Sequence, residues 1–136
     1  MVGLDTGFFV EILEGHKKAI QVWRELFKGE EEAVCSILSL FELERLYLKG
    51  KITQEGNNTL QKTVPGVCKI FRLNDKEIMY TAARMSHGLG MPAVDSLILA
   101  GFIREGAQKI YTTDGHFETY KKKDVVIVNL KKIKNV

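Results

Sequence analysis

Four acidic residues, Asp5, Glu42, Asp95 and Asp114, each stand where an apolar run gives way to a turn or a helix start. In a chain that alternates strands and helices, such junctions gather along one end of the sheet, so carboxylates distant in sequence can meet at one point. Two carboxylates about 4 Å apart repel by roughly 4 kcal/mol at an effective dielectric near 20. An assembled cluster must therefore take up protons or bind a cation. The chemistry expected of this quartet is that of hard oxygen ligands around a divalent ion.

Each acid also has a plainer use. Asp5, followed by Thr6-Gly7, can cap a helix begun by the Phe8 segment. The same Asp-Thr-Gly triplet occurs in aspartic proteases, but that architecture is all-β and requires a second triplet. In Ser39-Leu40-Phe41-Glu42 the spacing predicts a capping box, with Ser39 as N-cap and Glu42 at the third helical position. Glu42 and Glu44 are two residues, about 200°, apart on a helix, so only one can face a site, and Glu42 is nearer the strand end. Asp95 opens an apolar helix whose dipole favours an acid there. Asp114-Gly115 is also a hairpin dipeptide.

The elements that must position these acids follow from the hydrophobic pattern. An apolar strand, Val2-Gly3-Leu4, precedes Asp5, and an amphipathic helix runs from His16 to Lys28 with Ala19, Ile20, Trp23, Leu26 and Phe27 at helical spacing. Ala33 to Leu38 is predicted as a strand, then a helix carries Phe41, Leu43, Leu46 and Tyr47 to Lys49-Gly50. Thr53 caps a polar helix to about Lys62, which Val64-Pro65-Gly66 is expected to break. Val67 to Leu73 is strand-like. Asn74-Asp75 caps a helix whose Ile78, Met79, Ala82, Ala83 and Met85 share a face and which Gly88 and Gly90 end. Ala93 to Ile103 is apolar enough for a helix buried on most sides, and Lys109 to Thr113 and Val125 to Leu130 are the last strands. This alternation predicts an α/β fold, a three-layer α/β/α sandwich around a mostly parallel sheet.

At 136 residues the chain is expected to form a single domain, 1–136, large enough for a core without disulfides. Cys35 and Cys68 lie in apolar segments and read as reduced core thiols, which with the absence of a signal-like segment predicts a cytoplasmic protein. The apolar runs fall well short of the roughly 20 residues of a membrane span. A net charge of +3 is compatible with nucleic-acid binding without arguing for it.

In order and spacing these segments resemble the PIN domain family, and within it the VapC-type toxins, along essentially the whole chain. Leu4-Asp5-Thr6 resembles the first motif, a strand ending in Asp before Thr or Ser. Ser36-Ile37-Leu38-Ser39-Leu40-Phe41-Glu42-Leu43 is similar to the second, with hydroxyls six and three residues before the Glu. Asp95-Ser96-Leu97-Ile98-Leu99-Ala100 is similar to the third, and Thr112-Thr113-Asp114-Gly115-His116-Phe117 to the fourth, Thr-x-Asp-x-x-Phe.

The resemblance implies a metal-dependent ribonuclease in which Asp5, Glu42, Asp95 and Asp114 hold Mg²⁺ or Mn²⁺ and hydrolyse an RNA phosphodiester to a 5′-phosphate and a 3′-hydroxyl. It also implies dimerisation and a small antitoxin partner, and the alternative it leaves is an inactive PIN-like RNA-binding or assembly module. Thr6 and Thr112 are expected to orient carboxylates, while Lys17, Lys18, Arg45 and Lys121 to Lys123 are candidate backbone contacts. One departure stands out: His116 occupies the position where VapC-type members often carry a further acid, and it reads equally as a phosphate-contacting or ligand-supporting residue and as a plain surface histidine beside a turn.

Overall fold

A computed structural model describes residues 1–135 of the chain. Strands β1 (Val2–Leu4), β2 (Ala33–Ser36), β3 (Lys69–Phe71), β4 (Lys109–Thr112) and β5 (Val126–Asn129) form one sheet in the order β3-β2-β1-β4-β5. Every neighbouring pair is parallel. The connections are the helices α1 (Thr6–Leu13), α2 (Lys17–Phe27), α3 (Ile37–Leu48), α4 (Gln54–Val67), α5 (Lys76–Leu89) and α6 (Ala93–Glu105), plus short 3₁₀ turns at Gly115–Thr119 and Leu130–Lys132.

Alternation along the strands divides the core in two. Val2, Leu4, Ala33, Cys35 and Tyr111 pack with Phe8 and Phe9 of α1, Ala19 and Leu26 of α2, Leu43 of α3 and Leu60 and Val64 of α4. On the opposite face Val34, Phe71 and Ile110 meet Ile98, Leu99 and Phe102 of α6, and α5 covers α6 through Ile78, Ala82 and Ala100. The result is the expected α/β/α sandwich. Gly3 in β1 is required by this packing, since a Cβ there would lie 2.8 Å from the Phe102 ring. Cys35 and Cys68 are buried free thiols, and no helix among the described residues is long and apolar enough to cross a membrane.

Three local expectations are corrected. The second strand ends at Ser36, so α3 begins three residues earlier than a Ser39 cap requires; Ser36 is the N-cap, its Oγ accepting the Leu38 N–H at 3.1 Å. Glu42 thereby moves to the second turn, outside any capping box. Pro65 does not break α4. It lies in the last turn, where the bond it cannot donate is offset by burial of Leu60 and Val64 and by the Cys68 N–H closing on the Val64 carbonyl at 2.8 Å. Gly88 lies within α5, and Gly90 alone ends it, with φ +68° in the left-handed region that favours glycine.

Candidate metal centre

Because all five strands run the same way, their C-terminal ends share one rim, and the junctions after β1 and β4 sit side by side on it. There a groove of about 360 Å³ is lined by Asp5, Thr6, Gly7, Val10, Glu11, Glu42, Leu46, Asp95, Thr113, Asp114 and Lys131. All four acids singled out in the sequence line it. Asp5 arrives from the end of β1, Glu42 from the second turn of α3, Asp95 from the first turn of α6 and Asp114 from just past β4.

Asp5 occupies the N-cap position of α1 but makes no side-chain cap bond. Its Oδ2 instead accepts a 2.7 Å hydrogen bond from Oγ1 of Thr112. The carboxyl is buried, and that burial raises its pKa to about 6 against the Thr112 hydroxyl and the Thr6 backbone N–H, which pull it down; the charges of Glu42 and Asp114 add to the rise. Thr112 Oγ1 in turn accepts the Asp114 N–H at 3.0 Å, so one hydroxyl ties two acids together.

Thr6 does the equivalent work for Glu42. Its Oγ1 donates to Glu42 Oε1 at 2.6 Å and pairs with the buried Ser39 hydroxyl at 2.9 Å. Glu44 points elsewhere, accepting from Asn57 Nδ2 at 3.1 Å. Gly7 gives the rim its tightness: a Cβ there would lie 1.9 Å from Thr113 Oγ1.

Asp95, Asp114 and His116 each bring a ligand atom within 4.8 Å of the others. His116 Nδ1 lies 2.8 Å from Asp114 Oδ1 and 3.5 Å from Asp95 Oδ2, and its backbone N–H donates to the same Asp114 oxygen at 2.9 Å. Burial, followed by the neighbouring Asp114, pushes Asp95 up to about 7. Asp114 is held low: its partial burial works the other way, but the Asp95 carboxyl and the N–H groups of His116 outweigh it. The ring of His116 therefore faces the acidic cluster, as the departure at this position suggested it could.

The donor set fits a hard dication. Carboxylates raised to about 6 and 7 resist ionising where they stand, and a divalent ion removes that penalty. Asp5 and Glu42 line the groove outside the tightest trio, which is Asp95, Asp114 and His116. Of the basic residues, Lys17, Lys18, Arg45 and Lys121 to Lys123 do not line the groove; Lys131 does, ion-paired to Glu11 at 2.6 Å. Sequence reasoning missed both partners. The available signal was Glu11 itself, an acid inside the apolar run Phe8–Leu13.

The sequence pattern of the PIN domain family matches residues 2–123. The chain belongs to that family. Curated proteins offer no match to the sequence. Among solved structures the chain resembles one in FitAB bound to an IR36 DNA fragment, at 19% identity and TM-score 0.70 over 98% of each chain. It also resembles a chain of VapBC2 from Rickettsia felis bound to a promoter DNA fragment, at 18% identity and TM-score 0.71 over 95% of this chain and 98% of that one. A third is a chain of FitAcB from Neisseria gonorrhoeae, at 21% identity and TM-score 0.64 over 98% of this chain and 100% of that one. These likenesses establish the PIN-like α/β fold.

Proposed function

We propose that this chain is a divalent-metal-dependent endoribonuclease and the toxin of a toxin–antitoxin pair. The observation that carries the proposal is the groove at the sheet rim, where Asp5, Glu42, Asp95 and Asp114 converge and two of them are raised to about 6 and 7. Asp5, Glu42, Asp95 and Asp114 would hold Mg²⁺ or Mn²⁺ there, which would supply Lewis-acid charge and lower the pKa of water.

The chain's own residues do the rest. Thr112 keeps Asp5 aligned, and Thr6 leaves one oxygen of Glu42 for a ligand. His116 orients Asp114 and sits where an incoming phosphate oxygen can be met by its ring. In-line attack by water then gives a 5′-phosphate and a 3′-hydroxyl. RNA is the substrate that the likeness to VapC-type toxins implies, and the net charge of +3 is compatible with it.

A partner is supported separately. Phe41 and Leu48, seven residues apart and so on one face of α3, are 59% and 75% exposed. Such an apolar face suits a second copy of the chain or a small antitoxin, and one solved structure that the chain resembles is a toxin–antitoxin complex from Klebsiella pneumoniae. Reduced, buried thiols accord with a cytoplasmic protein.

End-mapping of cleaved RNA tests the chemistry. Fragments that ligate through a 5′-phosphate without kinase treatment are expected, and 2′,3′-cyclic phosphate ends would exclude water as the nucleophile.

A further inference from the structure

Beside the four acids the groove contains one ion pair, and its construction exceeds what charge balance requires. Glu11 is 6% exposed on α1, and the Lys131 ammonium lies 2.6 Å from its Oε1. Leaving such a carboxylate unpaired would be costly, so neutralising it is the minimal role for the lysine.

The backbone around Lys131 is fixed from several sides. Leu130 is fully buried, and its carbonyl lies 3.1 Å from Nε2 of buried His16, whose Nδ1 accepts the Ala19 N–H at 3.4 Å as the cap of α2. The Lys131 N–H donates to Asn129 Oδ1 at 3.0 Å. Asn129 Nδ2 reaches Glu118 Oε2 at 3.3 Å, and Lys132 Nζ binds the other oxygen of that carboxylate at 2.8 Å. Yet the Lys131 side chain is 66% exposed. An ammonium has three donors, and the contact to Glu11 engages one.

We propose that Lys131 binds a backbone phosphate of the RNA at the edge of the acidic groove, with Glu11 as the positioning residue that holds the ammonium there. The proposal rests on the ribonuclease reading of the same groove. A groove lined by five carboxylates repels a polyanion, and Lys131 is the lysine or arginine that lines it. A rigid backbone and a solvent-facing ammonium are what a phosphate contact needs: a fixed origin and free donors.

The test measures binding of a randomised 20-nucleotide single-stranded RNA as a function of salt, with Ca²⁺ replacing Mg²⁺ to suppress turnover. Wild-type protein is compared with Lys131→Met, Lys131→Arg and the double variant Glu11→Gln/Lys131→Met. Losing one phosphate contact should weaken binding about tenfold and reduce the salt slope by about 0.7. Lys131→Arg should retain both.

The double variant removes the buried unpaired charge, so it should recover the thermal stability lost in Lys131→Met while still showing the reduced slope. If wild-type protein binds RNA and Lys131→Met binds with the same affinity and slope, Lys131 only neutralises Glu11 and the proposal is overturned. The same holds if the double variant regains full RNA affinity along with its stability. If wild-type protein binds no RNA, the ribonuclease reading falls, and this inference with it.

Discussion

Oγ1 of Thr112 donates a 2.7 Å hydrogen bond to Oδ2 of Asp5, a residue 107 positions earlier. Parallel pairing of β1 with β4 makes this contact possible, because the register Leu4↔Tyr111 brings the two strand ends level. The bond lowers the pKa of a carboxyl that burial raises from 3.8 to about 6. A folded value above the unfolded one means the native state holds the proton more tightly, so Asp5 has no effect well below pH 4. Its penalty grows as pH rises through the window from about 4 to 6 and is complete above it. The full penalty is roughly 3 kcal/mol at 1.36 kcal/mol per unit. In metal-free protein, urea unfolding should therefore show wild type losing stability relative to Asp5→Asn between pH 4 and 7. Thr112→Val should deepen that loss. A difference between wild type and Asp5→Asn that stays constant across the window would contradict the burial assigned to Asp5.

Glu42 and Glu44 are predicted to separate cleanly. Glu42 lines the groove against Thr6, whereas Glu44 bonds Asn57 on α4. Glu42→Gln should weaken divalent-metal affinity at least tenfold in calorimetry. Glu44→Gln should leave it unchanged, its amide oxygen still accepting from Asn57, whereas Glu44→Ala should leave metal affinity unchanged and cost about 1 kcal/mol of stability through the lost hydrogen bond. The reverse pattern would mean α3 is rotated from the orientation described.

The order of the acids along the chain already identified the rim, because a parallel sheet leaves few other places for strand-end carboxylates to gather. The start of α3 was harder to read. Ala33 to Phe41 is apolar except for Ser36 and Ser39, and periodicity alone does not divide such a run into strand and helix. Ser36 rather than Ser39 takes the cap, which frees Ser39 to be buried against Thr6. Pro65 was misleading because helix-breaking chemistry says little about the last turn of a helix anchored by Val64. Lys131 was illegible for another reason: in Leu130-Lys131-Lys132-Ile133-Lys134 nothing distinguishes it from its basic neighbours until the fold places Glu11 beside it.

His116 provides a sharp test of the trio. Its Nδ1 lies 2.8 Å from Asp114 and 3.5 Å from Asp95, so replacing it with an acid adds a hard ligand among the existing ones. His116→Asp should bind Mn²⁺ more tightly than wild type, and His116→Ala less specifically oriented Asp114 should bind it more weakly. Calorimetric titration of the three proteins checks both directions. Unchanged affinity in both variants would remove His116 from the centre.

If the acidic rim holds a divalent ion used for RNA hydrolysis, as proposed, cleavage of total RNA by purified protein must depend on that ion. With Mg²⁺ or Mn²⁺, wild-type protein should cut RNA, while excess EDTA, Asp5→Asn and Asp95→Asn should each reduce the rate by at least about a hundredfold, consistent with loss of electrostatic stabilisation of the transition state. Circular dichroism should show both variants folded. Undiminished cleavage in EDTA, or by folded Asp95→Asn, would contradict the account.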